Sequence, residues 1–351
     1  LGISPGKEIR RPVQKIAFFD LEGPLSPQDN AFEVMSLLDG GREAFAVISR
    51  YDDLRALQGV EGYEPGDTLK LILPFLILHG IGADDIRAVS RMAPLTAGAK
   101  ELAAALLAAG WQMHIISTSY EQHALRIAGE LGIAEKNVAC TRLDLRNLAE
   151  RVGGADLTFV RDAWEDVRRS SERLTAEEIA DGAADAQIGP RLDAFYWETI
   201  PRTPLGPVFD AVEVLGGRRK VRALESFCQR SGTYLGEVAV VGDSITDAQM
   251  LKVAEAAGGL AVVFNGNRYA LPYGTVGVAS ASLMNVLPVL ETWLDGGREA
   301  LRRAILSSRL SAREGEAAYH WLVSASDLDE VAQAHAASRK AARGRAAASL
   351  G

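Results

Sequence analysis

Apolar runs of strand length recur along this chain, and most of them stop at a polar or acidic residue followed by a turn. Lys15-Ile16-Ala17-Phe18-Phe19 runs into Asp20-Leu21-Glu22-Gly23-Pro24, so residues 15–20 are predicted as a first strand with no solvent face. Residues 111–116 predict another, ending at Ser117-Thr118-Ser119, and residues 138–143, 237–241 and 259–264 three more. Helical periodicity fills the intervals at 97–109, closed by Gly110, and at 121–131, 220–230 and 247–257. Strands alternating with helices over 97–145 and 218–280 predict an α/β fold, a Rossmann-like, doubly wound parallel sheet.

Two stretches break that alternation. Residues 28–93 read as helical throughout (31–38, 51–57 and 69–79, parted by glycine-rich turns), which predicts an inserted helical cap. Residues 146–213 are rich in Asp, Glu and Arg, with helical pattern at 148–151, 163–173 and 176–180, and predict a second, partly mobile insertion. The α/β core is then assembled from 1–27, 94–145 and 214–295. Residues 296–351 read as a helical extension. Its end, 335–351, carries Arg339, Lys340, Arg343 and Arg345 and no acid, the composition of a frayed, solvated basic tail. No internal repeat is visible.

Bulk properties narrow the class. The 351 residues are 48% hydrophobic and 24% charged, as in soluble globular proteins. A net charge of −8 argues against a nucleic-acid partner. Apolar stretches too short for a bilayer argue against a membrane. Two distant cysteines, Cys140 and Cys228, fit a reducing compartment and a cytoplasmic location. Monomer and homodimer are equally compatible with the sequence.

The chemistry gathers where strands end. Asp20 and Glu22 form a carboxylate pair at the first. Gly242-Asp243-Ser244-Ile245-Thr246-Asp247 follows the strand at 237–241 and opens a helix. Acids at the carboxyl ends of parallel strands sit where open α/β sheets place their ligands, and oxygen donors of this kind suit magnesium. Asp243 and Asp247 also read as ordinary helix caps, and so does Ser117. Lys220 stands at a helix start, against the macrodipole; in the run Arg218-Arg219-Lys220 it equally reads as a surface lysine.

Acid pair, hydroxyl, lysine, acid pair: in that order these motifs resemble the haloacid dehalogenase superfamily of phosphohydrolases, and the lysine-to-aspartate interval resembles its phosphoserine-phosphatase branch. The resemblance covers 15–24, 96–144 and 216–280. A closer one spans Asp20 to Ser26, Asp29 to Glu33, Ile48 to Asp53, Gly66 to Lys70 and Ser117 to Glu121. It is to a little-characterised archaeal and bacterial group, some of whose members are named energy-converting hydrogenase A subunit R, a label that fixes no substrate. The resemblance implies a Mg2+-dependent phosphatase acting on a small phosphorylated metabolite. Asp20 would be the nucleophile and Glu22 the acid/base. Ser117 would bind the phosphoryl group, with Thr118 beside it, and Lys220 would brace both. Asp20, Glu22 (through its carbonyl), Asp243 and Asp247 would hold the metal. Asp29, Glu33, Arg50 and Asn265 would read the substrate, or Asn265 would orient a core carboxylate; Arg50 also reads as a local ion-pair partner of Asp53. Where the superfamily has Asp, this chain has Glu22, whose extra methylene moves the carboxyl by roughly 1.5 Å in a setting where about 1 Å matters. That departure leaves a second reading, a catalytically weak or inactive partner of a larger complex.

Overall fold

The computed structural model describes residues 14–348 except 154, 173, 174, 176, 177, 180, 181, 183 and 184. The expected helical segment at 176–180 therefore falls largely outside the described residues, as do residues 1–13 of the core. Seven strands form one sheet: β1 (Ile16–Phe19), β2 (Gln112–Tyr120), β3 (Val138–Thr141), β4 (Ala239–Gly242), β5 (Leu260–Phe264), β6 (Val276–Ser280) and β7 (Ala317–Trp321). Their order is β3-β2-β1-β4-β5-β6-β7. All neighbours pair in parallel except β7, which runs antiparallel along β6. The fold is α/β, doubly wound.

From β1 the chain builds outward to β3, then returns to the centre with β4 and builds the other way. The order reverses between β1 and β4, which lie side by side with Phe19 level with Val241. Ligands of open sheets bind at such a switch point, outside the carboxyl ends of the strands. The strands are apolar on both faces because both are covered. Ala17, Phe19 and Val241 belong to one buried cluster, and Phe18, Val240 and Leu224 to the opposite one.

A third cluster corrects the separation drawn between the two insertions. Phe32, Phe45, Phe75, Trp164, Phe195 and Tyr196, from both stretches, share one core. The Phe75 ring lies 5.3 Å from that of Trp164 and stacks at 5.7 Å on that of Phe195. The Tyr196 hydroxyl donates to the Leu71 carbonyl at 3.0 Å. Charged helical surfaces hid this pairing, since apolar positions of the second stretch such as Trp164 and Phe195 also pack against Phe75 of the first, far away in the chain.

Two further expectations change. β2 continues through Ser117-Thr118-Ser119 to Tyr120, past an irregularity in its pairing with β3. The polar triplet reads as a turn, but the Thr141 hydroxyl caps the Thr118 carbonyl at 2.6 Å and keeps the segment extended. The C-terminal extension, in turn, is not a solvated helical tail. It supplies the edge strand β7 and the helix Leu328–Ala348, on which Val331, His335 and Arg339 are buried. Among the described residues no helix is long and apolar enough to cross a membrane.

Candidate active site at the β1–β4 switch point

Asp20 follows β1 directly, and its amide donates to the Val241 carbonyl at 2.8 Å, so the nucleophile candidate is tied to the neighbouring strand. Asp243 follows β4 in the same way. Asp247 precedes the helix Ala248–Ala256 without capping it. Its Oδ2 turns back to accept from the amides of Asp243 and Ser244, at 2.9 and 3.2 Å. Gly242 makes this approach possible, because a Cβ there would lie 2.7 Å from the Asp247 side chain.

Lys220 joins the two strand ends. It is the third residue of the helix Arg218–Ser231 and fully buried. Its Nζ donates to Asp20 Oδ1 at 2.6 Å and to Asp247 Oδ1 at 2.7 Å. Its arginine neighbours point elsewhere, Arg218 to Glu64 and Arg219 to Asp67, pinning the first insertion to the core. The basic run is thus divided: two residues clamp and one enters the site. Burial works against the lysine's charge, but Asp20 and Asp247 outweigh it and hold its pKa above the ordinary value.

One carboxylate oxygen from each of Asp20, Asp243 and Asp247 falls within a 4.8 Å group, all three residues buried. Burial, then Asp247, push the Asp20 carboxyl up to about 7 against the pull of Lys220. A buried trio of hard oxygen donors whose members repel one another fits a divalent cation such as Mg2+. The Glu22 carboxyl is not in the trio. Its Oε1 accepts from the Asn30 amide at 2.9 Å, and burial, then Asp29, push it up to about 8. The turn that carries it is reshaped around Gly23, at φ 112°, whose amide donates to the Ser26 carbonyl at 2.6 Å.

A cavity of about 70 Å³ opens between these groups and the first insertion, lined among others by Asp20, Glu22, Asp29, Asp52, Asp53 and Thr118. The Thr118 hydroxyl is buried there without a hydrogen-bond partner, whereas Ser117 Oγ accepts from the Ser119 amide at 3.1 Å and does not line the cavity. Thr118 thus presents a hydroxyl to the cavity, while Ser117, which only accepts in that bond, keeps its own O–H to donate. Asp29 lines the cavity and also caps its helix, accepting from the Phe32 amide at 2.9 Å. Asp52 is held by the Tyr63 hydroxyl at 2.6 Å and the Gly66 amide at 2.8 Å.

Three expected substrate contacts fall elsewhere. Glu33 faces Arg42 at 3.8 Å near the surface. Arg50 pairs with Asp185 of the second insertion at 3.1 Å and is not among the residues lining the cavity, though its charge also favours the ionised form of Asp53. Asn265, at φ 47°, spends its amide on Ser280, donating to the carbonyl at 2.7 Å and accepting from the amide at 2.9 Å. It ties β5 to β6 and orients no carboxylate. One site residue escaped the sequence altogether. Arg339, assigned to the solvated tail, lines the cavity and pairs through Nη1 with Asp243 Oδ2. The buried positions 331, 335 and 339, four residues apart, carried the signal.

No protein-family model matches the chain, and no curated protein matches it. Among solved structures, a gene product of Archaeoglobus fulgidus is 26% identical with a TM-score of 0.79, the match covering 97% of this chain and 99% of that one. A phosphoserine phosphatase carrying a phospho-aspartyl intermediate analogue is 16% identical, with a TM-score of 0.49 over 78% of this chain and 98% of its own. A substrate-bound phosphoserine phosphatase is 15% identical, with a TM-score of 0.49 over 79% and 98%. These last likenesses are too distant to bear on chemistry.

Proposed function

We propose that the protein is a phosphatase hydrolysing a small phosphomonoester through a phosphorylated Asp20. The observation that carries the reading is the buried lysine held at 2.6 and 2.7 Å between Asp20 and Asp247, beside a third carboxylate at the next strand end. Such a cluster costs several kcal/mol in desolvation, a cost that serves no packing purpose and serves phosphoryl transfer well, since that chemistry asks chiefly for positioning and charge neutralisation.

Asp20 attacks phosphorus, and the bond to the leaving oxygen breaks as the aspartyl-phosphate forms. Glu22, protonated at neutral pH because burial lifts it to about 8, gives its proton to that oxygen. It then takes one from the water that attacks the aspartyl-phosphate, releasing phosphate and restoring Asp20. Lys220 holds Asp20 in place, and the Thr118 hydroxyl offers a donor to a phosphoryl oxygen. Asp20, Asp243 and Asp247 would hold Mg2+, which neutralises phosphoryl charge when bound. The cavity is too small for a metabolite, so the insertion carrying Asp52 and Asp53 must open to admit one.

The test is phosphate release from a panel of phosphorylated metabolites, with Mg2+ and with EDTA, beside Asp20→Asn. The expected result is metal-dependent release that falls by on the order of 10⁴ or more in the variant. Undiminished release in Asp20→Asn would remove the mechanism.

A further inference from the structure

The C-terminal helix reaches the site by a specific route. On Leu328–Ala348 the residues Val331, His335 and Arg339 recur every four positions and are 9%, 0% and 4% exposed, a single stripe facing the core. His335 anchors the stripe. Its Nδ1 accepts from the Gly266 amide at 3.0 Å, and Gly277 leaves room for its ring, since a Cβ there would lie 2.7 Å from Nε2. The loop that holds His335 is tied to the site as well, the Asn267 amide donating to the Asp243 carbonyl at 2.8 Å. One turn further along, Arg339 delivers its guanidinium to Asp243.

This contact is unlike the lysine's. Lys220 sits on a core helix and bridges Asp20 and Asp247, whereas Asp243 pairs with Arg339 from the C-terminal helix. Lys220 and Arg339 offset two of the three carboxylate charges. A divalent cation entering beside Asp20, Asp243 and Asp247 would meet a second buried positive group on one of its own ligands.

We propose that Arg339 is the resident counter-ion of Asp243 and that a divalent cation and Arg339 exclude one another there, so that the C-terminal helix is a strap which cation binding loosens. The proposal rests on the trio being the cation site. With the strap docked, Arg339 covers Asp243; with the cation bound, Arg339 leaves Asp243 and the helix loses that anchor while keeping His335.

The experiment titrates the full-length chain with Mn2+ in the absence of substrate, following binding calorimetrically, for the parent, Arg339→Gln and Asp243→Asn. Arg339→Gln is expected to bind Mn2+ at least tenfold more tightly than the parent, and Asp243→Asn to bind it far more weakly. Equal or weaker affinity in Arg339→Gln overturns the exclusion while leaving the phosphatase reading intact. Mn2+ affinity unaffected by Asp243→Asn removes the shared cation site and the proposal with it. Amide exchange of the unaltered chain then separates displacement from mere repulsion. Saturating Mn2+ is expected to speed exchange over the described part of the helix, 328–348, while β1 and β4 stay protected. Unchanged exchange in that helix would overturn the strap.

Discussion

Asp20 and Asp243 each follow directly on one of two neighbouring parallel strands, yet the molecule neutralises them in different ways. Asp20 takes a lysine from a helix of the α/β core, fully buried and shared with Asp247. Asp243 takes an arginine from the last helix of the chain, 96 residues away. A counter-ion built into the core stays through a reaction cycle; one carried on a peripheral helix can leave as that helix undocks. The two acids therefore sit at neighbouring strand ends and are unequal in how readily they are freed for a ligand.

Removing the two counter-ions should expose that inequality. Lys220→Met leaves Asp20 and Asp247 buried and facing each other, and is expected to lower stability by about 3–5 kcal/mol in metal-free buffer, read by urea denaturation. Arg339→Gln should cost less, about 1–3 kcal/mol, because its helix can lift away and let water reach Asp243. Equal losses would erase the distinction between the two sites.

The smallest effect concerns the anchor of that helix. Burial, then His320, push the His335 pKa down to about 3, while the unfolded chain titrates near 6.5. Between those values the unfolded state binds the extra proton, so this group's contribution is complete above about pH 6.5 and is lost as pH falls toward 3. At pH 5 the loss is at most about 2 kcal/mol. His335→Gln should flatten the acid limb of stability against pH by one proton. An unchanged slope would mean that His335 is not what holds the helix in acid.

This inequality also marks where the sequence could be read. Asp20, Asp243 and Lys220 were visible because each stands at the boundary of an apolar run or helix, where local pattern and chemistry coincide. Arg339 was not, because its stripe of Val331 and His335 lies in an alanine- and arginine-rich stretch whose composition is that of a solvated tail. The two insertions hid their common core for a related reason, as the partners Phe75 and Phe195 are far apart in the chain and close only in space. Arg50 lies on the helix Gly41–Leu57, which starts well before the expected segment at 51–57, and its partner Asp185 belongs to the other insertion. Ser117 and Thr118 show how sensitive such a reading is to one residue: where β2 continues past its expected end, it is Thr118 rather than Ser117 that lines the cavity. Asn265 looked like a site residue because it follows a core strand, but a positive φ and two bonds to Ser280 give it a structural task.

The central claim, that Asp20 carries the phosphoryl group, is tested most directly by trapping it. Turnover of the best substrate from the metabolite panel would be quenched in acid and the chain mapped by peptide mass spectrometry. The account predicts phosphate on the peptide containing Asp20, and none in Asp20→Asn. Phosphate on another residue, or steady turnover in Asp20→Asn, would contradict it.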